Sequence, residues 1–231
     1  MHSRKGYAMP PPALLQHVAK GMAKEMMINY GKHSMVPTRC EPFTADQNVR
    51  MLTLVHGTII NGREYNASAV YWRSWRLVDT FANQTGERKS GIIGHELGEY
   101  NRADVLYVIG DKPPNPDPSP DELALMGRHD EDRVLIKGGP SKADQNNRYF
   151  GAAPRVFKLN RANRSSFAAA MVDYELAYPV RGAARYTAPL FVQDGKDKRW
   201  TASSIDRTLD GVMKACMSQS EREHKTFHSR G

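Results

Sequence analysis

The chain has 231 residues, of which 40% are hydrophobic, enough to bury a core in one domain or two small ones. Mean hydropathy is -0.61 and no run approaches the roughly 18 apolar residues of a membrane-spanning helix, which argues against a membrane protein. The formal net charge of +8 favours polyanionic partners, nucleic acid first among them, although a merely basic soluble protein has the same charge balance.

The start of the chain is predicted to lie outside the main domain. Residues 1–41 are assigned to an N-terminal segment and linker, with a helical pattern at Ala13–Tyr30 that follows three prolines. Proline suits the position before a helix because the first turn lacks partners for its N–H groups. Met1–Gly21 has no continuous apolar stretch and therefore no signal-peptide pattern, so an intracellular location, nuclear in a eukaryote, is expected.

The next elements are two predicted helices separated by a glycine-rich loop. The first begins at Thr44 and runs through Met51 and Leu54. The second and stronger one spans about Asn66–Asn83, and Gly86 is placed to end it as a C-terminal breaker. Four apolar residues at helical spacing are expected to line one face of this second helix: Trp72, Trp75, Val78 and Phe81.

Short alternating segments follow, and they predict a mixed α and β architecture in which helices carry most of the core. Lys112–Asp121 contains five prolines and is predicted to be an exposed loop. Apolar helical spacing predicts helices at Ser165–Tyr178 and at about Ala202–Met217. Strands are predicted at Val105–Ile109, Arg133–Lys137, Tyr149–Leu159 and Pro189–Val192.

Cysteine and acidic residues provide no pattern of a metal site. Cys40 and Cys216 are far apart and belong to no Cys/His cluster, so neither a disulfide framework nor a zinc site is expected. Asp130–Asp132 is interpreted as a solvated loop. Asp173 and Glu175 are two residues apart on a predicted helix and are not expected to face one site.

Four stretches occur in an order that is informative only when they are taken together. A Thr-Gly-x-Arg element ends in Arg88 directly after a long helix, and Pro140–Gln145 lies between two predicted strands. Ala188–Val192 precedes a Trp-Thr pair at 200–201, and Thr226–Arg230 reads Thr-Phe-His-Ser-Arg. In this order the stretches resemble the tyrosine recombinases, or phage-type integrases, in particular the Crypton-like and protist mobile-element branch.

The resemblance implies an α+β fold: a mainly helical catalytic domain with a small antiparallel sheet, covering residues 42–231. It also implies DNA strand breakage and rejoining through a phosphotyrosyl intermediate, without metal or cofactor. The implied partner is double-stranded DNA, on which the full-length protein is expected to form a homo-oligomer.

The same resemblance assigns roles to four residues. Arg88 is expected to bind the scissile phosphate, since a guanidinium can engage two oxygens at once; the alternative is a surface arginine near a helix end. Lys142 is the expected general acid for the leaving oxygen, with Lys137 as its competitor. His228 is expected to position the phosphate or handle the tyrosine proton, or else to lie in an exposed tail. Arg230 is a weaker candidate because it comes one residue earlier than in a His-x-x-Arg box.

Departures from the family pattern lead to two further hypotheses. No tyrosine follows His228, so this sequence is interpreted as C-terminally truncated and as unable to complete strand exchange. One alternative is a non-catalytic DNA-binding remnant of a recombinase; another is an unrelated basic enzyme such as a nuclease. In each DNA-binding reading, five basic residues are expected to contact backbone phosphates: Lys137, Arg155, Lys158, Arg185 and Lys198.

Overall fold

A computed structural model describes residues 41–86, 88–93, 100–137 and 154–227. The predicted helix at Ala13–Tyr30 and three predicted catalytic residues, Lys142, His228 and Arg230, lie outside these ranges. The division of the chain at residue 42 stays a prediction. The described part combines helices with small antiparallel sheets, as the α+β class predicts.

Helices make up a larger share of the described ranges than strands do. The α-helices are α1 (Ala45–Leu52), α2 (Val70–Thr85), α3 (Lys89–Ile93), α4 (Pro120–Leu125), α5 (Phe167–Ala177), α6 (Ala202–Cys216) and α7 (Gln219–Arg222). Short 3-10 helices lie at Arg102–Asp104 and Gly182–Tyr186. The strands are β1 (Ile59–Ile60), β2 (Arg63–Glu64), β3 (Val105–Val108), β4 (Arg133–Ile136) and β5 (Arg155–Lys158).

Local side-chain caps explain where several helices begin. The Thr44 hydroxyl accepts a hydrogen bond from the Gln47 N–H, and the Gln47 side chain accepts one from the Thr44 N–H in return. This confirms the predicted start of α1. Ser119 caps α4 in the same way with Pro120 as the first helical residue, so the prediction of a loop through Asp121 was wrong at its end.

Helix α2 forms the centre of the core. All four apolar residues predicted for its inner face are buried, and Gly86 ends it in a left-handed conformation with φ of 65°. Helix α5 runs antiparallel beside it. Gln84 donates to the Ser165 carbonyl at 3.0 Å near one end, and Arg73 donates to the Asp173 carbonyl at 3.1 Å near the other.

The larger sheet is antiparallel, with strand order β3-β4-β5. Ile136 pairs with both Val105 and Arg155, while Arg133 pairs with Lys158 at the opposite end of β5. The predicted strand at Pro189–Val192 was wrong. That segment makes only isolated bridges among the described residues, and its apolar side chains are buried in the core instead.

An aromatic cluster centred on Phe81 joins these layers. Ring centroids of four other aromatic residues lie between 5.2 and 6.2 Å from the Phe81 ring. They come from β5, α5 and two connecting segments: Phe157, Phe167, Tyr100 and Phe191. Phe81 therefore fixes the C-terminal half of α2 against both the sheet and α5.

Asp132 corrects the interpretation of the acidic loop before β4. Only 1% of Asp132 is exposed. Its carboxylate accepts hydrogen bonds from the N–H groups of Gly110 at 2.8 Å, Gly127 at 2.6 Å and His129 at 3.2 Å. Asp130 is exposed, so the two acidic residues have different roles in one loop.

Gly211 on α6 allows the turn between β1 and β2 to pack closely. A methyl group there would lie 2.7 Å from Ile60 Cγ2 and closer still to Asn61 Nδ2, which donates to the Arg207 carbonyl at 2.7 Å. We expect Gly211→Ala to lower the free energy of unfolding by about 1–2 kcal/mol, because overpacking outweighs the helical preference for alanine. Urea denaturation measures the change.

Asn61→Gly provides the matched test for this clash. Asn61 has a positive φ of 51°, which glycine adopts readily, and the substitution removes the amide that meets the new methyl group. The double variant Gly211→Ala/Asn61→Gly should regain part of the lost stability. A single Gly211→Ala variant that is more stable than the parent would contradict the close contact.

Candidate nucleic-acid interface

Arg88 lies between two helices at the C-terminal end of α2. It follows the left-handed Gly86, and its carbonyl accepts hydrogen bonds from Gly91 and Ile92 at 3.0 and 3.2 Å, which starts α3. Arg88 is exposed. The neighbouring Lys89 forms an ion pair with Asp206 at 2.5 Å and so ties α3 to α6. The backbone that follows Arg88 is therefore held in place while the Arg88 side chain is exposed.

Arg155 and Lys137 lie at one end of the larger sheet, close to the same end of α2. Arg155 pairs with Ile136, the residue before Lys137, and its guanidinium lies 5.8 Å from the Phe81 ring centroid. Lys137 is exposed, and its amine donates to the Ala103 carbonyl at 3.3 Å. We call Arg88, Lys137 and Arg155 the Arg88 cluster.

Lys158 does not belong to the Arg88 cluster. It is exposed at the opposite end of β5, three residues and about 10 Å along the strand from Arg155. Its prediction as a phosphate contact stays a prediction, and it concerns a different part of the surface.

Lys198 lies at a separate polar cleft of about 200 Å³ between the β1–β2 hairpin and α6. Arg63 and Arg207 also line this cleft, and no Asp or Glu is among the described residues around it. Arg63 stacks 4.1 Å from the centroid of the Tyr71 ring. Arg63 and Arg207 were missed from the sequence because they come from distant elements and share no motif with Lys198.

The prediction that Arg185 contacts DNA phosphates was wrong. Arg185 is 1% exposed, and its guanidinium donates to Glu175 Oε1 at 2.6 Å and to the Arg102 carbonyl at 3.0 Å. Arg102, also 1% exposed, donates to the other oxygen of the same carboxylate at 2.8 Å. Arg185 is therefore part of a buried ion-pair network and is not presented to a ligand.

The two acidic residues of α5 serve different environments, as their spacing predicts. Glu175 is fully buried in the network with Arg102 and Arg185. Asp173 is one third exposed and pairs with Arg76 and Arg161. These two carboxylates do not meet at one site.

The described ranges contain neither a candidate metal site nor a helix suited to a membrane. In them, no group of three or more His, Cys, Asp or Glu side chains is arranged to hold a metal ion. No helix in them has the length and apolar character needed to cross a membrane. Comparisons with protein-family models, with curated proteins and with solved structures found no match for this chain.

Proposed function

We propose that the protein binds double-stranded DNA through the Arg88 cluster, as a core of tyrosine-recombinase type. The observation that carries the proposal is the exposure of Arg88 just after the C-terminal end of α2, with the Arg155 guanidinium 5.8 Å from the ring centroid of Phe81, four residues before the end of that helix. The connection between β4 and β5 leaves the sheet at this same end, and its sequence includes Lys142.

The chemistry of the cluster suits a phosphodiester. An exposed guanidinium can bind both non-bridging oxygens of one phosphate, and two further cations beside it favour an extended polyanion over a single small anion. In the reaction proposed, a tyrosine hydroxyl attacks the phosphorus, with His228 as the proposed acceptor of its proton, and the bond between the phosphorus and the 5′-oxygen breaks. Arg88 binds the developing negative charge, and Lys142 donates a proton to the leaving oxygen, with Lys137 as the alternative donor. His228 and Arg230 are the proposed additional phosphate contacts.

A non-catalytic DNA-binding protein is the second candidate function. The cleft with Lys198, Arg63 and Arg207 favours it, because that cleft is basic and none of its described lining residues belongs to the Arg88 cluster. Backbone phosphate contacts at several places support binding that tolerates any sequence and needs no strand cleavage.

Duplex DNA binding at two salt concentrations tests the proposal. For Arg88→Ala/Lys142→Ala we expect affinity to fall at least about tenfold and the slope of log K against log salt to flatten by about 2, because two phosphate contacts are lost. The matched control, Arg128→Ala/Lys214→Ala, removes two exposed cations elsewhere and should bind like the parent. Equal losses in both double variants, or no binding at low salt, would contradict the proposal.

A nicked duplex that traps covalent intermediates tests the expectation that this sequence cannot complete strand exchange. A protein–DNA adduct that resists denaturation would contradict that expectation and would exclude the non-catalytic function. Salt-dependent binding without an adduct agrees with that expectation and with the non-catalytic function.

A further inference from the structure

A second arginine-rich cleft lies beside the first half of α2, in a part of the surface that the Arg88 cluster does not use. Arg73 and Arg76 project from α2, and Arg161 and Arg164 come from the segment that leads into α5. The cleft has a volume of about 390 Å³ and one acidic residue, Asp173, among the described residues that line it. We call it the arginine cleft.

Specific contacts hold the arginine cleft together. Arg76 Nη1 lies 3.1 Å from Asp173 Oδ2, and Arg161 Nη1 lies 3.3 Å from Asp173 Oδ1. Arg73 donates to the Asp173 carbonyl at 3.1 Å, and Arg76 donates to the Arg164 carbonyl at 3.4 Å. The side chains of Arg76 and Arg161 remain 30% and 40% exposed, so their guanidiniums are positioned and still accessible to a ligand.

The charges in the arginine cleft do not balance. Four guanidiniums and one carboxylate line the cleft, and the carboxylate pairs with Arg76 and Arg161, so the lining residues carry a net charge of +3. Tyr65 also lines the cleft and is affected by the same positive charges. Burial raises the pKa of its hydroxyl, and Arg76 and Arg164 oppose that rise. Guanidiniums that line one cleft repel one another, and a bound anion would reduce that repulsion.

The available donors define the kind of anion. Guanidiniums approach the cleft from a helix and from a loop, so their planar N–H groups can reach one ligand from two sides. Several oxygens around a tetrahedral centre match this arrangement better than the two coplanar oxygens of a carboxylate. The volume lies within the range of small-ligand sites.

We propose that the arginine cleft is a binding site for phosphate groups, with Asp173 as an internal competitor that occupies the guanidiniums when no ligand is present. The ligand is either a small phosphate compound or a phosphate of a nucleic acid strand. Arg76 precedes Thr85, the last residue of α2, by nine positions, or about 14 Å along the helix axis. The site is thus distinct from the Arg88 cluster, and the proposal does not depend on the function proposed for that cluster.

Calorimetric titration of the chain with inorganic pyrophosphate tests the site. We expect saturable binding that weakens at least about tenfold in Arg76→Gln/Arg164→Gln, because charge-assisted hydrogen bonds to the ligand are lost. The matched control, Arg128→Gln/Arg222→Gln, removes two arginines outside the cleft and should bind like the parent. No saturable binding to the parent, or equal binding by the cleft variant, would overturn the proposal.

Asp173→Asn distinguishes a phosphate-binding site from an ordinary structural ion pair. Removing the competitor should strengthen pyrophosphate binding by about fivefold, as expected for release of a partly exposed ion pair. A merely structural network predicts lower thermal stability and no gain in affinity, which would overturn the proposal.

Duplex DNA then identifies the source of the phosphate. If Arg76→Gln/Arg164→Gln weakens DNA binding additively with Arg88→Ala/Lys142→Ala, the ligand is a nucleic acid phosphate, and if DNA binding is unchanged it is a small phosphate compound.

Discussion

Glu175→Gln is expected to lower the free energy of unfolding by about 3–5 kcal/mol, the largest effect we predict for a single substitution. The variant leaves the guanidiniums of Arg102 and Arg185 buried without the carboxylate that they share. Both Nε atoms already lack a hydrogen-bond partner in the described structure, so the network has no spare acceptor. Urea denaturation followed by circular dichroism measures the loss.

The wider network explains why a neutral amide is no substitute for this carboxylate. Tyr107 donates to Glu175 Oε2 at 3.3 Å. Burial, and after it the Glu175 carboxylate, raises the pKa of Tyr107 far above its ordinary value, so the phenol remains a neutral donor. An amide at position 175 would present donors as well as an acceptor to the four groups that donate to this carboxylate: Arg102, Tyr107, Arg185 and the Val180 N–H.

Two further variants separate the loss of charge pairing from general disruption. Glu223→Gln removes an exposed carboxylate and should change stability by less than about 0.5 kcal/mol. Combining Glu175→Leu with Arg102→Met and Arg185→Leu removes all three buried charges of the network and should recover much of the stability, because no buried charge remains unpaired. A Glu175→Gln variant as stable as Glu223→Gln would contradict the role of the network.

Asp132→Ala is expected to lower the free energy of unfolding by about 3 kcal/mol, because three N–H groups lose one shared acceptor. Burial acts to raise the pKa of Asp132, but the hydrogen bonds from Gly110, Gly127 and His129 hold it below its ordinary value overall. A carboxyl group with a lowered pKa in the folded state stabilises the fold at neutral pH. That stabilisation is lost as pH falls below about 4, through the folded-state pKa.

The pH dependence provides the measurement for Asp132. Stability of the parent and of Asp132→Ala, measured by urea denaturation between pH 7 and pH 3, should converge as the pH falls, since the variant lacks the carboxyl group that titrates. Asp130→Ala is the control from the same loop, because Asp130 is exposed. A constant difference across the pH range would show that the carboxylate charge has no part in the effect.

Helix positions were predictable from the sequence because their signals are local. Thr44 with Gln47 and the left-handed Gly86 act within one turn of the helix they bound, and the apolar spacing of Trp72 and Phe81 sets one buried face. Pro189–Val192 was predicted incorrectly because its apolar run is buried by tertiary packing without strand partners. Periodicity alone does not distinguish these two situations.

The exposure of individual basic residues was predictable only where a motif placed them, and their roles stay predictions. Arg88 is exposed after a long helix, as its motif predicts, and β4 and β5 pair as the hairpin prediction requires. Arg185 was misassigned because a basic residue in a sequence does not reveal its partner, and its partner is the buried Glu175. The arginine cleft was not predicted from the sequence because its arginines come from α2 and from the segment before α5, which meet only in the folded chain.

The contacts between the two ends of the described core have a consequence for the order of folding. Arg50 on α1 donates to the Cys216 carbonyl at 2.8 Å and pairs with Glu221, and Lys225 donates to the Pro42 carbonyl at 2.6 Å. These pairs are separated by 166, 171 and 183 residues. The long loops between these residues must close before the contacts can stabilise the fold. The entropy cost of that closure slows folding. During synthesis, α1 therefore lacks its packing surface until residues near 225 have left the ribosome.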